Sequence, residues 1–398
     1  MPPRHRMILL LAAIVFVAVN TVNALYKGGD ATNFFEGGRQ LLHGETIYAD
    51  SGPASGFIGP PFQALFFAPF AAVAEVSEPT ARLLWYGLNV LCLVVGVSCW
   101  VLAWRETLER TQRSHLANHW TIWAALLAIL LPLQTNFEHQ NMNAVLLVLI
   151  GGAAWLLLQR HAAAAGALIG VATALKAFPA LLIVYLAARR LWVPLSVALA
   201  TAFVLTALPL LVYGSEGFTQ PLMRWLQLGT QGWPTRGANQ SLIAALDRVI
   251  AGAPEGVHTA SQAPAELMIF LVIAIALVSA ALPIIFGRGA EATLVPEIAA
   301  VTTLAVLLSP IAWDHYWVLL FPAFLVVHTA SSRELLGRPA LVVFWTAAIL
   351  TSGLSRGTLG REGWALARHF SVSTVAALIL YLTLLRFSRR LSRASSPS

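Results

Sequence analysis

The chain has 398 residues, 58% of them hydrophobic and only 11% charged, with a mean hydropathy of +0.73. Soluble domains average about 25% charged residues, so one aqueous core is excluded and lipid must solvate much of the chain. The net charge of +7 is read as topological, because no nucleic-acid motif accompanies it.

The first element is an apolar run from Met7 to about Leu25, behind the basic segment MPPRHR. It is long and has no small-x-small cleavage site. It therefore reads as a retained first span with a cytoplasmic N-terminus. Further runs long enough to cross lie near 84–104, 119–134, 143–158, 192–213, 266–286, 298–312, 316–330, 340–353 and 370–387. The stretch 163–188 differs, with Lys176 and Pro179 at its centre. It reads as two short half-spans meeting at Lys176-Ala177-Phe178-Pro179, because the residue before a proline is pushed out of helical geometry. This predicts an all-α polytopic protein of about twelve segments, a single domain over 1–398 with a tail at 388–398. Cys92 and Cys99 share one helix, two turns apart, too far to bond.

Arginine sets the direction. With the N-terminus inside, Arg4, Arg6, Arg105, Arg110, Arg113, Arg160, Arg189, Arg190, Arg288, Arg333, Arg338, Arg386, Arg389, Arg390 and Arg393 all fall on the cytoplasmic side. Both termini are then cytoplasmic, in a plasma (inner) membrane. The stretch 60–76 would invert the charge pattern if it crossed. It is expected instead to be a helix lying in or dipping into the outer interface. Two long external loops remain, 27–83 and 214–265, and loops of that length usually carry function.

Polar chemistry gathers on the outer side. Asp30, after Gly28-Gly29, is either a helix-start cap or a general base. Glu138-His139-Gln140-Asn141-Met142-Asn143 is either a polar hairpin or part of a site. Lys176 in an apolar segment costs about 2.5–3.5 kcal/mol on insertion scales. It either snorkels outward or holds an anion such as a lipid phosphate. Asp314 and His315 stand among Trp313, Tyr316 and Trp317, where an aromatic belt alone would not need them. In the second loop, Asn239-Gln240-Ser241 follows Arg236, which either binds phosphate or caps a loop. There is no HExxH, Walker A or Cys/His metal spacing, so no metal and no cofactor are expected.

These residues, in this order, resemble the GT-C membrane glycosyltransferases, and glycosyltransferase family 87 above all. The ordered set is Asp30 with Gly44-x-x-x-Tyr48; Gly59-Pro60-Pro61-Phe62 with Pro69; Gln140-Asn141-x-Asn143; Gly166-x-x-x-Gly170 before Lys176-Ala177-Phe178-Pro179; Asn239-Gln240-Ser241; and Ser309-Pro310-Ile311-Ala312-Trp313-Asp314-His315. The chain departs from the family pattern at Gly59, Ala312 and Tyr316, where Tyr, Ser and a second His are common. The resemblance implies transfer of a hexose, mannose foremost, from a polyprenyl phosphate to a hydroxyl of a glycolipid or glycan acceptor, with inversion, on the external face. Asp30 would be the base. Lys176, His315 and Arg236 would hold the donor phosphate. Gln140, Asn143, Asn239, Gln240 and Asp314 would contact sugar or acceptor. The alternatives are a lipid or solute transporter pairing Lys176 with Asp314, and an inactive GT-C scaffold. A transporter built on inverted repeats would show two broken segments, and the sequence has one.

Overall fold

The computed structural model describes residues 3–48, 51–52, 55–252, 256–286, 291–332 and 334–394. Arg288, Arg333 and residues 395–398 of the expected tail lie outside the described residues. The rest is mostly helical. The chain begins with α1 (Pro3–Tyr26) and α2 (Gly29–Leu42). A 50-residue element, α3 (Pro61–Arg110), follows. Then come α4 (His119–Ala128), α5 (Leu130–Glu138), α6 (Asn143–Leu158), α7 (Ala162–Leu175), α8 (Ala180–Ala188) and α9 (Trp192–Ala207). Beyond these lie α10 (Leu210–Thr230), α11 (Leu242–Ala251), α12 (Pro264–Phe286) and α13 (Leu294–Leu308). The chain closes with α14 (Phe321–Ala330), α15 (Arg338–Ala348), α16 (Arg356–His369) and α17 (Val372–Ala394).

Among the described residues, five helices are long and apolar enough to cross a bilayer, or eight if each of three bent pairs is one span. The expected runs are there, but several are broken. The run 119–134 is α4 and α5, bent by 59°. The run 316–330 opens as a 3₁₀ stretch, Asp314–Leu320, before α14. The half-spans around Lys176 are α7 and α8, and Lys176 itself is extended at φ −146°, ψ 137°. The tail from 388 on continues α17 as helix to Ala394, with Ser388 and Leu391 buried.

The expected loop 27–83 is largely helical. It holds α2 and the first part of α3. That part meets the rest of α3 at a break at Ser77 (φ −157°, ψ 98°). Pro79 accounts for the break, because its ring clashes with the carbonyl four residues back. Phe34, Phe35, Phe67, Phe70 and Trp85 pack there as an aromatic cluster, with Phe34 and Phe67 stacked at 4.7 Å. The loop 214–265 is also structured. It contains the end of α10, then α11, and a two-residue antiparallel pair of β1 (Trp233–Pro234) with β2 (Val257–His258).

The core centres on α13, which is buried along nearly its whole length. Outward faces are apolar: Leu11, Val15 and Val22 on α1, Leu199 and Phe203 on α9, Val272 and Ile275 on α12 are all exposed. With no water to satisfy backbone groups in a bilayer, helices presenting such faces are what a lipid-solvated chain forms. Charges collect at the two ends of this bundle. At one end Glu297 accepts from Tyr185 Oη at 2.8 Å and faces Arg189 at 3.5 Å, with the Glu297 and Arg189 side chains both shielded from solvent. The other end holds Asp30, Lys176 and Asp314.

Candidate functional site

The site is assembled from three turns. The first joins α1 to α2. Gly29 has φ +53°, and a Cβ there would stand 2.6 Å from the His139 carbonyl oxygen. Glycine therefore lets this turn lie against the α5–α6 turn, where the Asp30 N–H donates to that carbonyl at 2.8 Å. Asp30 sits in the first turn of α2, where the helix dipole favours a carboxylate.

The second turn is 139–142. Gln140 has φ +50°. Its side chain donates to the carbonyls of Ala24 and Lys27, both at 3.1 Å, and its own carbonyl accepts from Trp85 Nε1 at 2.7 Å. This pins the turn and directs Asn141 at the carboxylate. Asn141 Nδ2 donates to Asp30 Oδ2 at 2.6 Å. Asn141 Oδ1 accepts from Lys176 Nζ at 3.0 Å. Lys176 Nζ also donates to Asn143 Oδ1 at 3.1 Å and lies 3.8 Å from the Tyr316 ring centroid.

The third is 309–315, latched by Asn239-Gln240-Ser241. Asn239 donates to the carbonyls of Pro234 and Pro310, at 2.9 and 3.0 Å, and accepts from the Ala312 N–H at 2.8 Å. Gln240 donates to the carbonyls of Gly237 and Arg368, at 2.6 and 2.9 Å. The latch presents Asp314 and His315. Asp314 Oδ2 meets Arg368 Nη2 at 2.7 Å, and the Arg368 guanidinium lies 4.2 Å from the Trp364 ring centroid.

Together these turns enclose a cavity of about 880 Å³. Asp30, Lys176, Arg236, Asp314 and His315 line it. One side is apolar, with Phe178, Leu181, Leu226, Leu228 and Leu308. Four expected contacts stand elsewhere. Gln140, Asn143, Asn239 and Gln240 are fully buried and do not line the cavity; each donates its amide N–H to a backbone carbonyl, and Asn143 also accepts from Lys176. In this arrangement they support the turns behind the cavity wall. His315 lines the cavity as expected and is buried. Burial holds its imidazole well below the usual histidine range, and nearby Lys176 adds to that. Its Nε2 lies 3.5 Å from Asp30 Oδ2 without hydrogen-bond geometry.

Asn141 and Arg368 were not selected from the sequence. Asn141 is flanked by the two amides that were chosen, and only the fold shows which of the three faces inward. Arg368 lies in α16, a polar helix bent 88° from the apolar α15. Hydropathy passes over such a segment. Its run of arginines with Trp364 was the available signal.

A multi-pass helical membrane protein with a cavity at one end, lined by both charged and apolar side chains, is the class that fold and site define. The chain belongs to glycosyltransferase family 87, whose pattern matches residues 57–310, more than half of its length. It is a glycosyltransferase. It is 26% identical over 372 residues to the polyprenol-phosphate-mannose-dependent α-(1-2)-phosphatidylinositol mannoside mannosyltransferase of Mycolicibacterium smegmatis, covering 87% of this chain and 79% of that one. It is 27% identical over 349 residues to a polyprenol-phosphate-mannose-dependent α-(1-2)-phosphatidylinositol pentamannoside mannosyltransferase of Mycobacterium tuberculosis, covering 85% and 74%. Among solved structures, ArnT from Cupriavidus metallidurans bound to undecaprenyl phosphate aligns with 96% of this chain and 78% of its own, at 17% identity and a TM-score of 0.46.

Proposed function

We propose that this protein transfers mannose from a polyprenyl-phosphate donor to a hydroxyl of a glycolipid acceptor, with inversion, on the external face of the inner membrane. The observation that carries the mechanism is the hydrogen-bonded row Asp30–Asn141–Lys176 at the wall of one cavity. The acceptor oxygen attacks the anomeric carbon as the bond to the phosphate oxygen breaks. Asp30 takes the hydroxyl proton. The phosphate leaves with its charge, so a paired acid is not needed. Lys176 and the exposed Arg236 stabilise that charge. Of the Lys176 contacts, the Tyr316 ring face is the one a phosphate oxygen would replace. The apolar side of the cavity suits the polyprenyl chain. Asp314, with Arg368, orients sugar hydroxyls.

The same reading makes the architecture GT-C type with about twelve segments, both termini cytoplasmic, and the first part of α3 lying in the outer interface. The donor assignment draws on the family and on the names of the relatives. The test is transfer of radiolabelled mannose from polyprenyl-phosphate mannose to a membrane lipid extract. Asp30→Asn should fold and bind donor but transfer at least about a hundredfold more slowly, the scale of a lost general base. Lys176→Ala should weaken donor binding. Full activity in Asp30→Asn removes Asp30 from the base role.

A further inference from the structure

We infer that Asn141 is a positioning residue that couples the two charged ends of the site, keeping the Lys176 ammonium and the Asp30 carboxylate apart while fixing both. The inference rests on the transferase reading above and adds a residue to it. Asn141 is buried yet lines the cavity. A carboxylate only accepts and an ammonium only donates, so the amide can face them in one sense only. Nδ2 must point at Asp30 and Oδ1 at Lys176, as observed at 2.6 and 3.0 Å. No direct Asp30–Lys176 ion pair forms among the described residues. Such a pair would neutralise the ammonium that the donor phosphate needs and occupy the carboxylate that the acceptor hydroxyl needs.

The amide occupies Oδ2 of Asp30. Among the described residues Oδ1 accepts no hydrogen bond, which leaves it for the acceptor. The other groups facing Asp30 are His315, whose Nε2 is 3.5 Å from Oδ2, His139 on the adjoining turn, Lys176 and the Tyr316 hydroxyl. None of these donates a hydrogen bond to Asp30. Asn141 is therefore the side chain that sets its orientation. The backbone supports this aim independently, because the Asn141 N–H donates to the Asn136 carbonyl at 3.0 Å behind the positive-φ Gln140.

Asn141→Asp tests the idea with an isosteric change. It removes the donor to Asp30, places a like charge beside it, and gives Lys176 a carboxylate partner. Both carboxylate effects favour the protonated form. The full-length protein is purified as wild type, Asn141→Asp and Asn141→Ala. Polyprenyl phosphate binding and the pH dependence of mannose transfer are measured for each. Asn141→Asp should bind polyprenyl phosphate about tenfold more weakly, and its acid limb should move upward by about one pH unit, the tenfold equivalent. The lost rate should return partly at alkaline pH. Asn141→Ala should lose about tenfold in kcat. A purely structural Asn141 would leave the limb and the binding of the Asp variant at wild-type values, and that result overturns the inference. If the Asp variant fails to fold, wild-type kcat and pH profile in Asn141→Ala overturn it equally. If the wild type transfers nothing, the transferase reading fails. The binding measurement then decides alone, and unchanged binding in both variants overturns the coupling.

Discussion

Asp314 lies outside the long apolar helices, in the short stretch that closes the cavity. Burial pushes its carboxyl up to about 6, and the Arg368 guanidinium 2.7 Å away pulls against that rise. Its folded-state value is thus above the ordinary 3.8. Ionising it costs stability as pH rises from about 4 through 6, and Arg368 limits the cost. Arg368→Ala removes the cation. At pH 7 it should lose about 1–3 kcal/mol, the penalty for a buried group left without its partner. At pH 5 the carboxyl is mostly neutral and the loss should be smaller. Thermal unfolding at the two pH values measures this. Equal losses would mean that Arg368 acts by packing on Trp364 rather than through charge. At this scale, Asp30, Asp314 and His315 were legible in the sequence as ionisable groups at the ends of apolar runs, Lys176 at the centre of one and Arg236 in a long polar loop, and all five line the cavity. The amides were less legible. A polar side chain with a ligand-binding spacing can equally satisfy backbone carbonyls, and Gln140, Asn143, Asn239 and Gln240 do so.

The elements that carry these residues depend on close helix contacts. Gly166 and Gly170 face α9, where a Cβ would stand 2.3 Å from the Pro194 carbonyl oxygen and 2.6 Å from Thr201 Cβ. Small residues four apart let two helix backbones approach in lipid. Lys176 follows directly on α7, so this contact also sets its depth. Gly170→Leu should cost about 1–3 kcal/mol by overpacking and weaken polyprenyl phosphate binding together with it. A destabilised variant with wild-type binding would separate the α7–α9 contact from the site. The break at Lys176 was predictable because Pro179 interrupts an apolar run. The 59° bend between α4 and α5 and the helix at Gly29–Leu42 were not, since hydropathy counts apolar residues and does not register direction.

On the whole-molecule scale, the charges at the bundle's two ends make a topological prediction. Under the positive-inside rule the Arg189–Glu297 end should face the cytoplasm and the cavity should open to the outside. A cysteine placed at Arg236, in a background lacking Cys92 and Cys99, should react with impermeant thiol reagents from outside only. Labelling only from the cytoplasm would invert the assignment. Arg236 suits this test because it is exposed at the cavity rim.

The sequence alone determined that this chain is solvated by lipid, that its apolar runs are helical and that its scattered ionisable residues belong to one family's ordered motifs. Composition and local periodicity suffice for that, because each apolar run must satisfy its own backbone in a bilayer. Only the tertiary structure decided which polar groups share a cavity. Asp30, Asn141, Lys176 and Asp314 are far apart in the chain, and turns held by buried amides bring them together. An amide that binds a sugar and an amide that binds a carbonyl look the same in sequence. Which one it is depends on what the fold places within 3 Å.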